Sequence, residues 1–158
     1  MSERAPHILI VEARFYEELA DGLAKGAIRV FEKAGATFER ISVPGAFEVP
    51  GVIAFAAHSA AHSAGQSSGK TKFDGYLALG CVIRGETSHY EHICNESARA
   101  LMDLAVRDGV ALGNGIITVE DETQARARAN PDDKDKGGEA AEACLAMIAA
   151  RRTFPAAG

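Results

Sequence analysis

The sequence predicts an α/β fold, a three-layer αβα sandwich around a four-stranded parallel sheet. Two observations lead there. Short apolar runs of strand length alternate four times with stretches that have helical spacing. The first run, His7-Ile8-Leu9-Ile10-Val11, is continuously apolar, which marks a strand covered on both faces. Helices that cross over between consecutive strands make those strands parallel, with right-handed connections.

After that first strand, Tyr16 to Ala34 places Leu19, Leu23, Ala27, Val30 and Phe31 on one helical face, and Gly35 is a suitable stop. Thr37 to Val43 is rich in β-favouring residues. Pro44-Gly45 makes a turn into a small-residue helix from Phe47 to His62, with Pro50 tolerable in its first turn. Ala64 to Lys72, rich in Gly, Ser and Lys, is expected to be a mobile surface loop, too short to separate domains. Residues 1–158 are therefore expected to form one domain.

A third strand runs from Tyr76 to Ile83, and a helix opens at Ser88 and continues to about Arg107. Gly115 to Val119 is the fourth strand. A short helix spans Thr123 to about Ala129 and breaks at Asn130-Pro131. Gly138 to Arg152 is the last helix, with Ala141, Leu145, Met147 and Ile148 as its apolar stripe.

The net charge of −5 and scattered basic residues argue against a nucleic-acid binder. No apolar run approaches the roughly 20 residues that span a bilayer, and Met1 to Pro6 lacks the apolar core of a signal peptide. Cys81, Cys94 and Cys144 form no CxxC pair and read as buried reduced thiols. A cytoplasmic, soluble protein is the expectation.

Ligands of parallel sheets bind beyond the carboxyl ends of the strands. Phe15, Pro44 to Glu48, Arg84 to Thr87 and Asp121 all follow strands and belong to that rim. The most informative stretch is Gly80 to Glu96, GCVIRGETSHYEHICNE. Ser88 with Glu91 reads as a capping box. Free amides at a helix start form an anion site. His89 stands beside it, where the positive helix end disfavours the imidazolium and leaves a neutral proton acceptor.

Gly80 to His89 followed by Cys94-Asn95-Glu96 resembles the central motif of the 6,7-dimethyl-8-ribityllumazine synthases. Val11 to Tyr16, Val43 to Pro50, and Arg128 with Lys136-Gly137-Gly138 resemble three further segments of that family in order and spacing. The resemblance covers essentially the whole chain. It implies a flavodoxin-like sheet of order 2-1-3-4 and the penultimate step of riboflavin synthesis. In that step 5-amino-6-(D-ribitylamino)uracil condenses with 3,4-dihydroxy-2-butanone 4-phosphate, and no metal or organic cofactor is implied. Imine formation, phosphate elimination, tautomerisation and ring closure are helped by orientation and proton transfer.

By the same resemblance, His89 moves protons and Arg128 grips the phosphate through its guanidinium fork. Gly85, Glu86 and Thr87 bind phosphate through backbone amides and the Thr hydroxyl, with the Glu86 carboxylate turned away. Phe15 stacks on the pyrimidine, though a strand-end aromatic can equally pack into the core. Ala46, Phe47 and Glu48 hold the ribityl chain; Cys81, Val82 and Ile83 offer backbone groups to the pyrimidine edge; Lys136 reaches a ring carbonyl. His92 reads as a surface or interface residue, since its spacing from His89 lacks a third metal ligand.

The implied assembly is a ring of five, with Phe15, Glu48 and His89 from one chain and Asn114, Arg128 and Lys136 from the next. Two positions depart from the family pattern. Asn114 stands where many members carry phenylalanine, removing an aromatic wall. The Asn130 to Asp135 loop contains Pro131 and aspartates, which favours a free pentamer over a sixty-subunit shell. Asn114 also motivates a rival reading, a flavin- or lumazine-binding or scaffold paralogue with little turnover. A thiol hydrolase using Cys81 or Cys94 with His89 is a second rival, without a nucleophile elbow to support it.

Overall fold

A computed structural model describes residues 3–59 and 72–155. Its elements in order are β1 (His7–Ala13), α1 (Glu17–Lys33), β2 (Thr37–Val43), a 3-10 turn (Ala46–Glu48), α2 (Val49–Ser59), β3 (Gly75–Ile83), α3 (His89–Val106), β4 (Leu112–Val119), α4 (Glu122–Ala129) and α5 (Lys136–Thr153). The expected loop at 64–71 and the helix end at 60–62 lie outside the described residues.

The strands form one parallel sheet in the order β2-β1-β3-β4, as expected for a flavodoxin-like sandwich. Register pairs His7 with Thr37, Ile8 with Gly75, and Tyr76 with Leu112. The apolar run of β1 is buried on both faces, as its composition requires. Ile8 and Ile10 join one core with Leu23, Phe31, Leu77 and Ile148. Leu9 and Val11 join the other with Val49, Ile53, Ala78 and Leu101. Helices α1, α4 and α5 therefore cover one face, and α2 and α3 the other.

Three differences from the sequence reading have physical causes. β4 begins at Leu112, three residues before the expected Gly115, because Leu112-Gly113-Asn114 pair with Tyr76-Leu77-Ala78 despite their turn-like composition. Gly113 and Gly115 let α5 lie directly on the strand, where a Cβ on Gly113 would meet backbone and side-chain atoms of α5. α5 begins at Lys136 because Asp135, in the left-handed region at φ 45°, caps it through its side chain to Gly138 N at 3.1 Å. Met147 of the expected apolar stripe is 41% exposed; Cys144 and Ala140 take the buried positions instead.

β2 is an outer strand with most of its residues solvent-facing. Its edge carries charge. Glu39 accepts from His7 Nε2 at 2.7 Å and Lys72 Nζ at 2.9 Å. Arg40 reaches across to Glu12 of β1, a carboxylate only 3% exposed. Arg40 Nε and Nη2 donate to it at 2.6 and 2.9 Å, and Arg14 Nη1 donates at 2.9 Å. A buried carboxylate of this kind is tolerable only when its lone pairs are filled. Arg14 is in turn bound to Asp21 of α1. The cluster thus fastens β1, β2 and α1 just before Phe15.

Candidate active site

The carboxyl ends of β1, β2 and β3 open into one pocket of about 720 Å³. Phe15 follows β1 and is 74% exposed, meeting Tyr16 edge-on at 4.9 Å, so the core-packing alternative falls. Gly45 and the 3-10 turn after β2 supply Ala46, Phe47 and Glu48, with Glu48 N donating to Gly45 O at 3.2 Å. Phe47 is turned outward, while Ala46 is buried against the α2 layer. The end of β3 adds Cys81, Val82 and Ile83, and α3 adds His89 and His92. One wall is therefore aromatic and apolar, and the polar side chains lining the pocket include a carboxylate, two imidazoles, the Tyr16 phenol and the Cys81 thiol. His92, expected at a surface or interface, lines this pocket from the exposed side of α3.

Gly85, Glu86, Thr87 and Ser88 lie exposed in the turn between Ile83 and His89. The expected capping box is absent. Ser88 has helical angles (φ −70°, ψ 0°) and makes no side-chain cap bond. Glu91 is taken instead by Arg84, whose charged donors outcompete a backbone amide. The Arg84 guanidinium holds the Glu91 carboxyl below the ordinary carboxylate range. Thr87 Oγ1 accepts from His89 N at a long 3.4 Å, so the helix start keeps its amides largely available.

Asn114, Arg128 and Lys136 meet elsewhere, in a cleft of about 310 Å³ between β4 and α5. Asn114 Oδ1 accepts from Ile116 N at 3.0 Å. Arg128, on the last turn of α4, spends one donor on Gln124 O at 3.2 Å, and Lys136 Nζ pairs with Glu139 at 2.8 Å. No residue lines both cavities. Within one chain the cavity-lining residues therefore form two separate groups, and Gly85, Glu86 and Thr87 line neither of these cavities.

The thiols do not suit nucleophilic chemistry. Cys144 is buried as expected, but Cys81 and Cys94 are only partly so. Desolvation still pushes Cys81 and Cys144 up to about 12 and raises Cys94, which keeps all three protonated near neutrality. That removes the physical basis of the thiol-hydrolase reading. No group of three or more His, Cys, Asp or Glu side chains suited to a metal occurs among the described residues. No helix among them is long and apolar enough to cross a membrane.

Sequence reading placed Arg84 on the rim but gave it no role. It passed over Tyr90 and Glu120, which form one contact network with Arg84 beside the turn, and the Glu12 cluster beneath Phe15. Glu12 carried a visible signal, a lone acid inside an apolar strand. Arg84 had none, since its partners come together only through folding.

A parallel α/β sheet with an aromatic, carboxylate- and imidazole-bearing pocket on its carboxyl rim defines an enzyme that handles a small polar molecule. The family model for 6,7-dimethyl-8-ribityllumazine synthase matches residues 5–152. A 6,7-dimethyl-8-ribityllumazine synthase of Bartonella tribocorum is 55% identical over 151 residues, covering 96% of this chain and 93% of that protein. Those of Agrobacterium fabrum and Novosphingobium aromaticivorans are each 54% identical, covering 90% and 92% of this chain and 93% and 96% of their own lengths. The chain belongs to the 6,7-dimethyl-8-ribityllumazine synthase family.

Proposed function

We propose that this chain is a transferase that condenses 5-amino-6-(D-ribitylamino)uracil with 3,4-dihydroxy-2-butanone 4-phosphate. The products are 6,7-dimethyl-8-ribityllumazine, phosphate and water. Family membership supports the reaction, and the observation that carries the site is the rim pocket bounded by Phe15, Glu48 and His89. Phe15 offers an exposed ring for stacking on the pyrimidine. Glu48 accepts from ribityl hydroxyls, beside Ala46 and Phe47. Backbone groups of Cys81 to Ile83 meet the pyrimidine edge. The turn amides of Gly85 to Thr87 receive the phosphate as it leaves, and His89 takes and returns protons.

Arg128 and Lys136 complete the site from a neighbouring chain in a ring of five, with Asn114 in the wall between them. Their separation from the pocket within one chain supports this division. Arg128 then binds phosphate and Lys136 a ring carbonyl. The two core clusters on one sheet support reading residues 1–158 as one domain. Free thiols at Cys81, Cys94 and Cys144 support a cytoplasmic setting.

Mixing purified protein with both substrates and following lumazine fluorescence tests the reading. Sustained product formation is expected. Protein that purifies yellow yet forms no lumazine would instead favour the binding paralogue.

A further inference from the structure

Arg84 leaves β3 where the strand becomes the phosphate turn, and its side chain ties three elements together. Nε donates to Glu120 Oε2 at 2.6 Å and Nη2 to Glu120 Oε1 at 3.4 Å, at the end of β4. Nη1 donates to Glu91 in the first turn of α3. The guanidinium carbon also lies 4.3 Å from the centroid of the Tyr90 ring, in the same helical turn. A backbone bond from Arg84 N to Val119 O at 3.0 Å anchors the same point. The turn itself is weakly fastened: the bonds from His89 N to Thr87 Oγ1 and from His92 N to Ser88 O are each 3.4 Å.

We propose that Arg84 is a positioning residue, a clamp that fixes where the Gly85–His89 turn presents its amides and imidazole to the departing phosphate. The proposal rests on the reading of that turn given above. The cluster does not draw the phosphate in by charge, although the guanidinium offsets one of the two carboxylates, so the carboxylate variants are the ones that separate charge from position. One guanidinium between two carboxylates leaves a net negative cluster, which repels a phosphate rather than attracting it. Nor is global stability the main effect. The side chains of Arg84, Glu91 and Glu120 are 39%, 46% and 57% exposed, and exposed ion pairs add little individually. What remains is geometry. A planar fork serves two carboxylates and stacks on a ring at once, and a lysine cannot do all three.

The two possible effects have opposite signs, which makes a decisive test. Glu120→Gln removes an anion near the phosphate and loosens the clamp. Simple electrostatics lowers the KM for the butanone phosphate, whereas loss of position raises it. In steady-state kinetics on the assembled protein, Glu120→Gln should raise that KM about tenfold and leave the KM for the ribitylaminouracil nearly unchanged. Arg84→Gln should have the larger effect and Arg84→Lys an intermediate one. If Arg84→Gln fails to assemble, Glu91→Gln and Glu120→Gln each delete one arm and carry the test. An unchanged or lowered butanone phosphate KM in the carboxylate variants overturns the clamp. Failure of the underlying reading has its own signature: inorganic phosphate would not compete with the butanone phosphate in the unmodified protein.

Discussion

The carbonyl oxygen of Ala140 lies only 2.3 Å from where a Cβ on Gly113 would stand, with Cys144 backbone and side-chain atoms at 3.0 Å. Helix α5 therefore rests on bare strand backbone beside the Arg128 and Lys136 cleft.

A methyl at that contact should displace the helix. Gly113→Ala is expected to destabilise by about 1–3 kcal/mol, the usual cost of forcing volume into a packed core. Gly85→Ala is the control, because nothing lies within 4 Å of its Cβ position and its φ is not left-handed. It should change stability by less than about 0.5 kcal/mol. Denaturant midpoints at fixed protein concentration separate the two, and equal midpoints would mean α5 can slide.

Substitution of the two groups of site residues should give different kinetic signatures. His89→Ala should slow turnover by roughly 10- to 1000-fold, the usual range for general acid–base catalysis. Arg128→Ala should chiefly raise the KM for the butanone phosphate. If that KM stays unchanged, the phosphate role of Arg128 is wrong.

Sites built from two chains should complement. In the ring proposed above, co-expressing His89→Ala with Arg128→Ala in equal amounts would give mixed rings in which about a quarter of the interfaces pair two intact halves. Those rings should regain about that share of activity, where each variant alone is slow. Diluting the unmodified protein until rings dissociate should abolish turnover in parallel, as read by fluorescence-detected sedimentation. Full turnover by monomers would end the shared-site proposal.

Alkaline pH should weaken the fold through its thiols. Cys81 and Cys144 ionise near 9.0 when exposed but only at about 12 when folded. Between those values the unfolded chain has lost protons that the folded chain retains, so unfolding becomes easier as pH rises. Their contribution to stability is full below about 9.0 and declines toward 12. Thermal melts of Cys144→Ala should show lower stability at neutral pH and a shallower decline above 9. Iodoacetamide at neutral pH should leave Cys144 unmodified by mass spectrometry and turnover intact.

The alternation of strands and helices and the rim position of Phe15, Glu48 and His89 were legible because apolar runs and turn residues are local signals. The strand order 2-1-3-4, by contrast, was implied only by the family resemblance. β2 matches its expected bounds, Thr37 to Val43. The opening of β4 was not legible, since Gly-Asn-Gly reads as a turn until α5 is known to press on it. The capping box failed for a related reason. Ser88 and Glu91 have the right spacing, but Arg84 competes for Glu91 from another element. Local pattern found the pieces; the competition among charged side chains was settled only in three dimensions.

The charged rim of β2 has a consequence for how these molecules meet. An outer strand with unpaired backbone groups is a template on which another strand can grow. Here Glu39 and Arg40 sit in the middle of that strand, each already committed to neighbours. An incoming strand would bring its own side chains up against both charges. The residues that bind β2 to β1 thus also act as gatekeepers against end-to-end sheet growth. A chain with Glu39 and Arg40 both replaced by threonine should be the one that forms fibrils.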